Sequence, residues 1–169
     1  INYSMTTTAT GGFAPHNDSA KYFISPAIEY ISIAFQFMAG TNFVLLYAFL
    51  FKGQVKQLFR NSEFRLYIGV VAGATVWIMY ILLTRLNYDL EQAFRSALFQ
   101  VISFITTTGL FNDDAGKWPH ITWVILGCCM FIGACAGSTS GGFKCIRGVM
   151  IIKVVHNEFR HLLHPNAVL

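Results

Sequence analysis

The charged residues of this sequence leave three long gaps: 22 residues between Glu29 and Lys52, 19 between Arg65 and Arg85, and 26 between Lys117 and Lys144. A helix needs about 18 to 20 predominantly apolar residues to cross a hydrocarbon core, so each gap is long enough for a membrane span. Only 12% of the chain is charged, about half the share usual in a soluble domain. With 54% hydrophobic residues and 16 phenylalanines, the sequence is neither a disordered chain, a coiled coil nor a disulfide scaffold, and it does not read as a free-standing soluble enzyme.

Two further uncharged stretches, 1–17 and 96–112, are 17 residues each but are interrupted by threonine and glycine. They read as something other than spans. The chain opens at Ile1 without a basic leader or a start methionine, so no signal peptide is expected and the sequence is expected to be a piece of a longer protein.

The net charge of +4 says less than its placement. Lys52, Lys56, Arg60 and Arg65 lie in one short connection between the first two spans, and Lys144, Arg147, Lys153 and Arg160 follow the third. Eight of the 12 basic residues thus fall on one side, which the positive-inside rule makes cytoplasmic. Asp18, Asp89, Glu91, Asp113 and Asp114 collect on the outer side, where they either raise the local cation concentration or solvate outer loops.

Soluble chemistry finds little support. Cys128, Cys129, Cys135 and Cys145 form no C-x-x-C pair and are expected to be buried packing residues. The histidines are scattered, and no zinc-helix, nucleophile-elbow or phosphate-loop pattern occurs. The basic residues flank apolar spans rather than form an aromatic-laced patch, so no nucleic-acid partner is expected.

The chain repeats itself. A shift of 98 positions aligns Thr8-Ala9-Thr10-Gly11-Gly12-Phe13 with Thr106-Thr107-Thr108-Gly109-Leu110-Phe111, both reading T-x-T-G-x-F. Each hexapeptide ends an uncharged non-spanning stretch and precedes an apolar span. The segment 93–105 leading into the second copy is too short to cross a core near 30 Å, so it enters the membrane and turns back. Irregular backbone at that depth must line a cavity or be buried in protein. Glycine frees the backbone to turn its carbonyls inward, and rings of carbonyls replace the hydration shell of a cation. A re-entrant pore loop is the reading this favours; an outer loop closed by a Thr-rich turn is the other.

These residues resemble a known family. The T-A-T-G-G-F segment, the run Ala93-Phe94-Arg95-Ser96-Ala97-Leu98-Phe99-Gln100-Val101 before Thr106-Thr107-Thr108-Gly109, and the run Gly133-Ala134-Cys135-Ala136-Gly137-Ser138-Thr139-Ser140-Gly141-Gly142 resemble the TrkH/TrkG and KtrB potassium-uptake subunits. His164-Pro165-Asn166-Ala167-Val168 resembles the TrkH branch in particular. The resemblance implies an all-α integral membrane protein built of helix, re-entrant pore loop, helix repeats around a pseudo-fourfold ion pathway, of which this chain is a part.

It assigns residues 1–51 to the filter and second helix of one repeat, 52–64 to a cytoplasmic basic loop, 65–155 to a complete repeat with a broken second helix, and 156–169 to the lead-in to the next. By the same resemblance Ala9, Thr10 and Gly11, with Thr107, Thr108 and Gly109, line the filter through their carbonyls. Thr8, Gly12, Thr106 and Leu110 support it, Ala134, Cys135, Ala136, Gly137, Ser138, Thr139, Ser140, Gly141 and Gly142 form a gating loop, and Lys144 and Arg147 stand at the cytoplasmic mouth. No cofactor is expected, with K+ as the transported ion. The implied partners are the lipid bilayer, the remaining repeats, a second copy in a homodimer and a cytoplasmic nucleotide-binding regulatory subunit resembling TrkA, at a bacterial inner membrane crossed several times.

The third gap adds a reading of its own. Residues 118–155 as one helix would run roughly 57 Å, too long for a single crossing, so a break is expected in 134–142. Gly133, Gly137 and Gly141 recur every four residues, as do Gly69 and Gly73, and such spacing also suits a face packed closely against another helix. In the first span Ser25, Glu29, Ser32, Gln36, Ala39 and Gly40 share one helical face, and a continuous helix would put Glu29 roughly 34 Å from Lys52. Two function classes stand: a channel-like potassium-uptake subunit, and a secondary cation symporter with discontinuous helices and alternating access. Copies of the motif in the same orientation favour the first. An enzyme is not expected, since no nucleophile and base pairing is present.

Overall fold

The computed structural model describes residues 1–163 apart from 17, 24, 54 and 114, and leaves the side chains of 57, 115 and 160–163 undescribed. Asp114 and the 164–168 segment therefore lie outside the described residues. Among the described residues eight α-helices follow in order: α1 (Asn2–Thr8), α2 (Pro26–Ala39), α3 (Phe43–Lys52), α4 (Val55–Arg60), α5 (Ser62–Leu86), α6 (Leu90–Ile105), α7 (His120–Ile132) and α8 (Cys145–Leu163). Short 3-10 turns occupy Ser19–Phe23 and Ala115–Lys117, and no strand occurs among the described residues.

Helix α5 fills the second uncharged gap. Asn61 caps it, its side chain accepting from the amides of Glu63 and Phe64 at 2.8 and 3.4 Å, and Asn87 ends it in the left-handed conformation. Its 25 residues rise about 37 Å, enough to cross a bilayer core. Tyr67, Val71, Thr75, Ile78 and Leu82 are buried along one face at the spacing of a helical stripe, while Val76, Trp77 and Tyr80 on the other face are exposed.

Against α5 lies α6, also packed on α2 and α7. Ala93, Ala97, Phe99, Val101 and Ile105 in it are fully buried, so α6 is the central element of the chain. Its 16 residues reach only about 24 Å, short of a full crossing. Helix α1 bears the same relation to α2 in a shorter piece.

Of the three expected spans only α5 is one continuous helix. The first gap is broken: α2 and α3 meet at 109°, which also removes the straight path that would place Glu29 about 34 Å from Lys52. The gap contains no proline; the break comes at Gly40-Thr41-Asn42. A Cβ on Gly40 would lie 2.6 Å from the Tyr67 hydroxyl and 2.7 Å from Thr106 Cγ2, so glycine is required by close approach. Asn42 then caps α3, its side chain accepting from the Val44 amide at 2.9 Å. The third gap breaks where expected. Helix α7 ends at Gly133, φ 71°, and the chain does not become helical again until Cys145.

These two breaks satisfy one another. The Cys135 amide donates to the Gly40 carbonyl at 3.1 Å, the Thr139 amide to the Ala39 carbonyl at 3.3 Å, and the Phe43 amide to the Gly137 carbonyl at 3.1 Å. A buried backbone group left without a partner costs about 1–3 kcal/mol, and here each break supplies partners to the other. Gly133, Gly137 and Gly141 consequently lie in a loop, not on the close-packed helix face that their spacing also allowed. Gly69 and Gly73 meet nothing within 4 Å of an added Cβ. Cys129, Cys135 and Cys145 are buried as expected, whereas Cys128 is exposed.

Candidate functional site

Both T-x-T-G-x-F segments form the same structure, in a register one residue away from the sequence match. Helix α1 closes on Ala9, φ −81° and ψ −2°, and α6 closes on Thr106, φ −83° and ψ −1°. Thr10 and Thr107 follow at φ 52° and 54°, and Gly12 and Gly109 at φ 73° and 79°. The Gly11 amide donates to the Thr6 carbonyl at 2.9 Å, and the Thr108 amide to the Ser103 carbonyl at 2.8 Å. Every pair is separated by 97 positions rather than 98. The counterpart of Gly109 is therefore Gly12, not Gly11, and Ala9 corresponds to the helix cap Thr106, not to Thr107.

The 97-residue offset has a physical basis. A left-handed φ before an extended return is tolerated best by glycine, and in T-A-T-G-G-F two adjacent glycines compete for that position. Letter matching selects Gly11 because it preserves T-x-T-G. Space selects Gly12, since a Cβ there would stand 2.0 Å from the Thr108 carbonyl oxygen. The two turns are thus in direct backbone contact. An added Cβ on Gly109 meets nothing within 4 Å, leaving φ as its constraint.

Around the second turn the polar groups are paired internally. Thr106 Oγ1 donates to the Ile102 carbonyl at 2.7 Å and lies 2.7 Å from Thr108 Oγ1, while Ser103 Oγ holds the Leu110 carbonyl at 2.8 Å. Leu110 is fully buried and anchors the return strand in the core. Thr8 is exposed, its hydroxyl donating to the Ser4 carbonyl at 2.9 Å.

The loop between α7 and α8 passes against both turns. Thr10 Oγ1 donates to the Thr139 carbonyl at 3.0 Å, and the Gly141 amide donates to Thr107 Oγ1 at 2.8 Å. The two equivalent threonines thus hold the same loop. Its amide at Ala136 donates to Oε1 of Glu63, a residue that sequence reasoning passed over as part of the basic connection. Ser138 Oγ, which donates to the Cys135 carbonyl, lies 2.8 Å from Ser140 Oγ. Gly142, φ 80°, packs on Gly133 with 3.0 Å from an added Cβ to the Gly133 Cα. Lys144 does not stand free, since its ammonium donates to the Ser140 carbonyl. The Arg147 guanidinium lies 5.9 Å from the centre of the Phe143 ring.

On the other side of the turns, acids expected to face outward are engaged in structure. Glu29 Oε2 accepts from Asn112 Nδ2 at 2.8 Å and pairs with Arg95 Nε at 3.1 Å, and Arg95 Nη1 reaches Glu91 Oε1 at 3.0 Å. Asp113 accepts from the Tyr88 hydroxyl at 3.0 Å. The Phe111 carbonyl accepts from the Ala20 amide at 2.9 Å. The contacts of Glu29 with Asn112 and Arg95, and of Ala20 with Phe111, join the two motif-bearing units to each other. Among the described residues no group of three or more His, Cys, Asp or Glu is placed to hold a metal ion.

The family described as "TrkH: Cation transport protein" matches residues 1–169. The Trk system potassium uptake protein TrkH of Salmonella typhimurium is 40% identical over 99% of this chain and 35% of its own length. That of Escherichia coli K12 is 39% identical over 99% of the chain and 35% of its own length, and the E. coli Trk system potassium uptake protein TrkG is 31% identical over 100% and 35%. The crystal structure of the potassium transporter TrkH from Vibrio parahaemolyticus superimposes with a TM-score of 0.90 at 36% identity, covering 100% of this chain and 37% of that one. The chain spans about a third of the length of these relatives. Matching them in fold and from end to end, it is a member of the TrkH family of cation transport proteins.

Proposed function

We propose that this chain is part of a potassium-uptake subunit in which Thr10, Gly11 and Gly12 on one unit, and Thr107, Thr108 and Gly109 on the next, line a selectivity filter with carbonyl and threonine oxygens. The observation that carries this reading is the pair of helix-and-turn units repeated at 97 residues, each closing on a left-handed threonine and a left-handed glycine. Left-handed residues free the backbone to turn its carbonyls toward one side, and rings of carbonyls replace a cation's hydration shell. The relatives' names supply the ion. Ala9 belongs to the helix end below the filter, and Thr8, Thr106 and Leu110 support it.

Residues 134–142 act as the gating loop in this reading, and their bonds to Thr10 and Thr107 support it. Lys144 belongs to the closing of the loop as well as to the cytoplasmic mouth. The remaining repeats, a second copy and a TrkA-like nucleotide-binding ring on the basic 52–64 side complete the assembly in a bacterial inner membrane. A symporter with alternating access is not favoured, since the two units run in the same sense.

The test is flux through the full-length protein reconstituted in liposomes. Deleting residues 137–140 should increase rubidium flux while preserving discrimination against sodium. Flux and gating unchanged by that deletion would falsify the gate assignment, and an equal permeability to sodium in the unmodified protein would remove the filter.

A further inference from the structure

The loop has one anchor outside the two turns and the α2–α3 break that belongs to the cytoplasmic connection. Glu63 is the sole acid between Glu29 and Asp89, set among Lys52, Lys56, Arg60 and Arg65. A lone acid in a basic connection would ordinarily be solvated or paired with a neighbouring cation. Glu63 is instead 5% exposed, and its Oε1 accepts the amide hydrogen of Ala136.

Its place in the first turn of α5 would by itself favour an acid through the helix dipole. That role needs no burial and no partner in another segment. A buried carboxylate must be hydrogen-bonded to be tolerated, and a buried amide outside regular structure equally needs an acceptor. Glu63 and Ala136 satisfy one another across the gap between α5 and the loop. The backbone of Glu63 is in turn fixed by the Asn61 side chain at 2.8 Å, and Asn61 directly follows α4.

We propose that Glu63 is a positioning residue for the 134–142 loop, holding it in its observed place through the Ala136 amide and linking it to the basic connection between α3 and α5. Movement of α4 relative to α5 shifts the Asn61 cap and with it the carboxylate, so a partner bound to the basic connection acts on the loop along this route. The inference rests on the gating role assigned to the loop under the proposed function.

The experiment compares variants of the full-length protein in planar bilayers with no regulatory subunit present. Glu63→Ala removes the acceptor and is expected to raise open probability roughly tenfold, as loss of one hydrogen bond to a charged group implies, with the potassium-to-sodium permeability ratio unchanged. Glu63→Gln keeps an acceptor oxygen in place and should stay within about twofold of the unmodified protein. If the alanine variant does not assemble, Glu63→Asp, whose carboxylate stops one methylene short, replaces it with the same expected rise. Unmodified open probability in whichever of these two assembles overturns the inference, as does an equal rise in Glu63→Gln. The 137–140 deletion run alongside separates the two levels: opened by the deletion but not by Glu63→Ala, the channel keeps its gate and loses this latch. Unaffected by the deletion, it loses the gate itself.

Discussion

The hydroxyl of Thr107 accepts a hydrogen bond from the amide of Gly141 at 2.8 Å, joining the turn after α6 to the loop after α7. Gly141 must be glycine for this to form, because a Cβ would stand 2.9 Å from Thr107 Oγ1. Thr10, the counterpart of Thr107 in the other unit, reaches the same loop through the Thr139 carbonyl. In the proposed reading, filter and gate therefore share hydroxyl groups, and a change at one is felt at the other.

Thr107→Val keeps the shape and removes the acceptor. The loop should loosen by about 1 kcal/mol, roughly a fivefold shift toward the open state, while Thr107→Ser should restore the original behaviour. Single-channel recording of the full-length protein measures this; equal open times in the valine and unmodified forms would mean that the bond does not hold the loop.

Gly12→Ala and Gly11→Ala separate the two registers of the repeat. Alanine at 12 must adopt φ 73° and displace the Thr108 carbonyl from 2.0 Å, so uptake or selectivity should be severely reduced. At 11 the nearest atoms are those of the Phe13 ring at 3.6 Å, ordinary contact, and the effect should be much smaller. Rubidium and sodium flux ratios decide between them, and a larger effect at 11 would restore the 98-residue alignment.

Gly40→Ala tests the break in the first gap. With Tyr67 Oη and Thr106 Cγ2 both within 2.7 Å of the new methyl, overpacking should destabilise the protein by about 1–3 kcal/mol. Thermal unfolding of the purified protein in detergent should show a lowered transition. An unchanged midpoint would mean that the contact relaxes without cost.

Arg95 and Glu29 join the central helix α6 to α2 at 3.1 Å, with both side chains largely buried. Removing either partner leaves the other charge poorly compensated, so Arg95→Leu and Glu29→Gln should each destabilise by about 2 kcal/mol, with the double variant losing less than the sum. A double-mutant cycle on unfolding measures the coupling. Additive losses would show that the pair does not hold the units together.

Much of this architecture was readable from residue order. Uncharged gaps bounded by Arg65 and Arg85 dictate α5, because length and apolarity alone decide whether a helix can cross a bilayer. The long third gap required a break, and its run of small residues located it correctly between Ile132 and Cys145. The T-x-T-G-x-F match identified the two turns, although not their register.

What the sequence could not decide were the places where distant segments meet. Nothing in Gly40-Thr41-Asn42 looks unlike an ordinary helical stretch except a glycine and a potential capping asparagine, and a glycine is tolerated inside many helices. It becomes a 109° bend only because Tyr67 and Thr106 occupy the space beside it and the 133–144 loop supplies the hydrogen bonds that the bend gives up. Gly12 outranks Gly11 because of the Thr108 carbonyl, and Glu63 leaves the basic connection to meet Ala136. Hydropathy and charge are properties of the chain in order, so they determined the membrane character and the continuous α5 span; close approach and cross-segment pairing join residues up to 131 positions apart, and only the folded packing decided those.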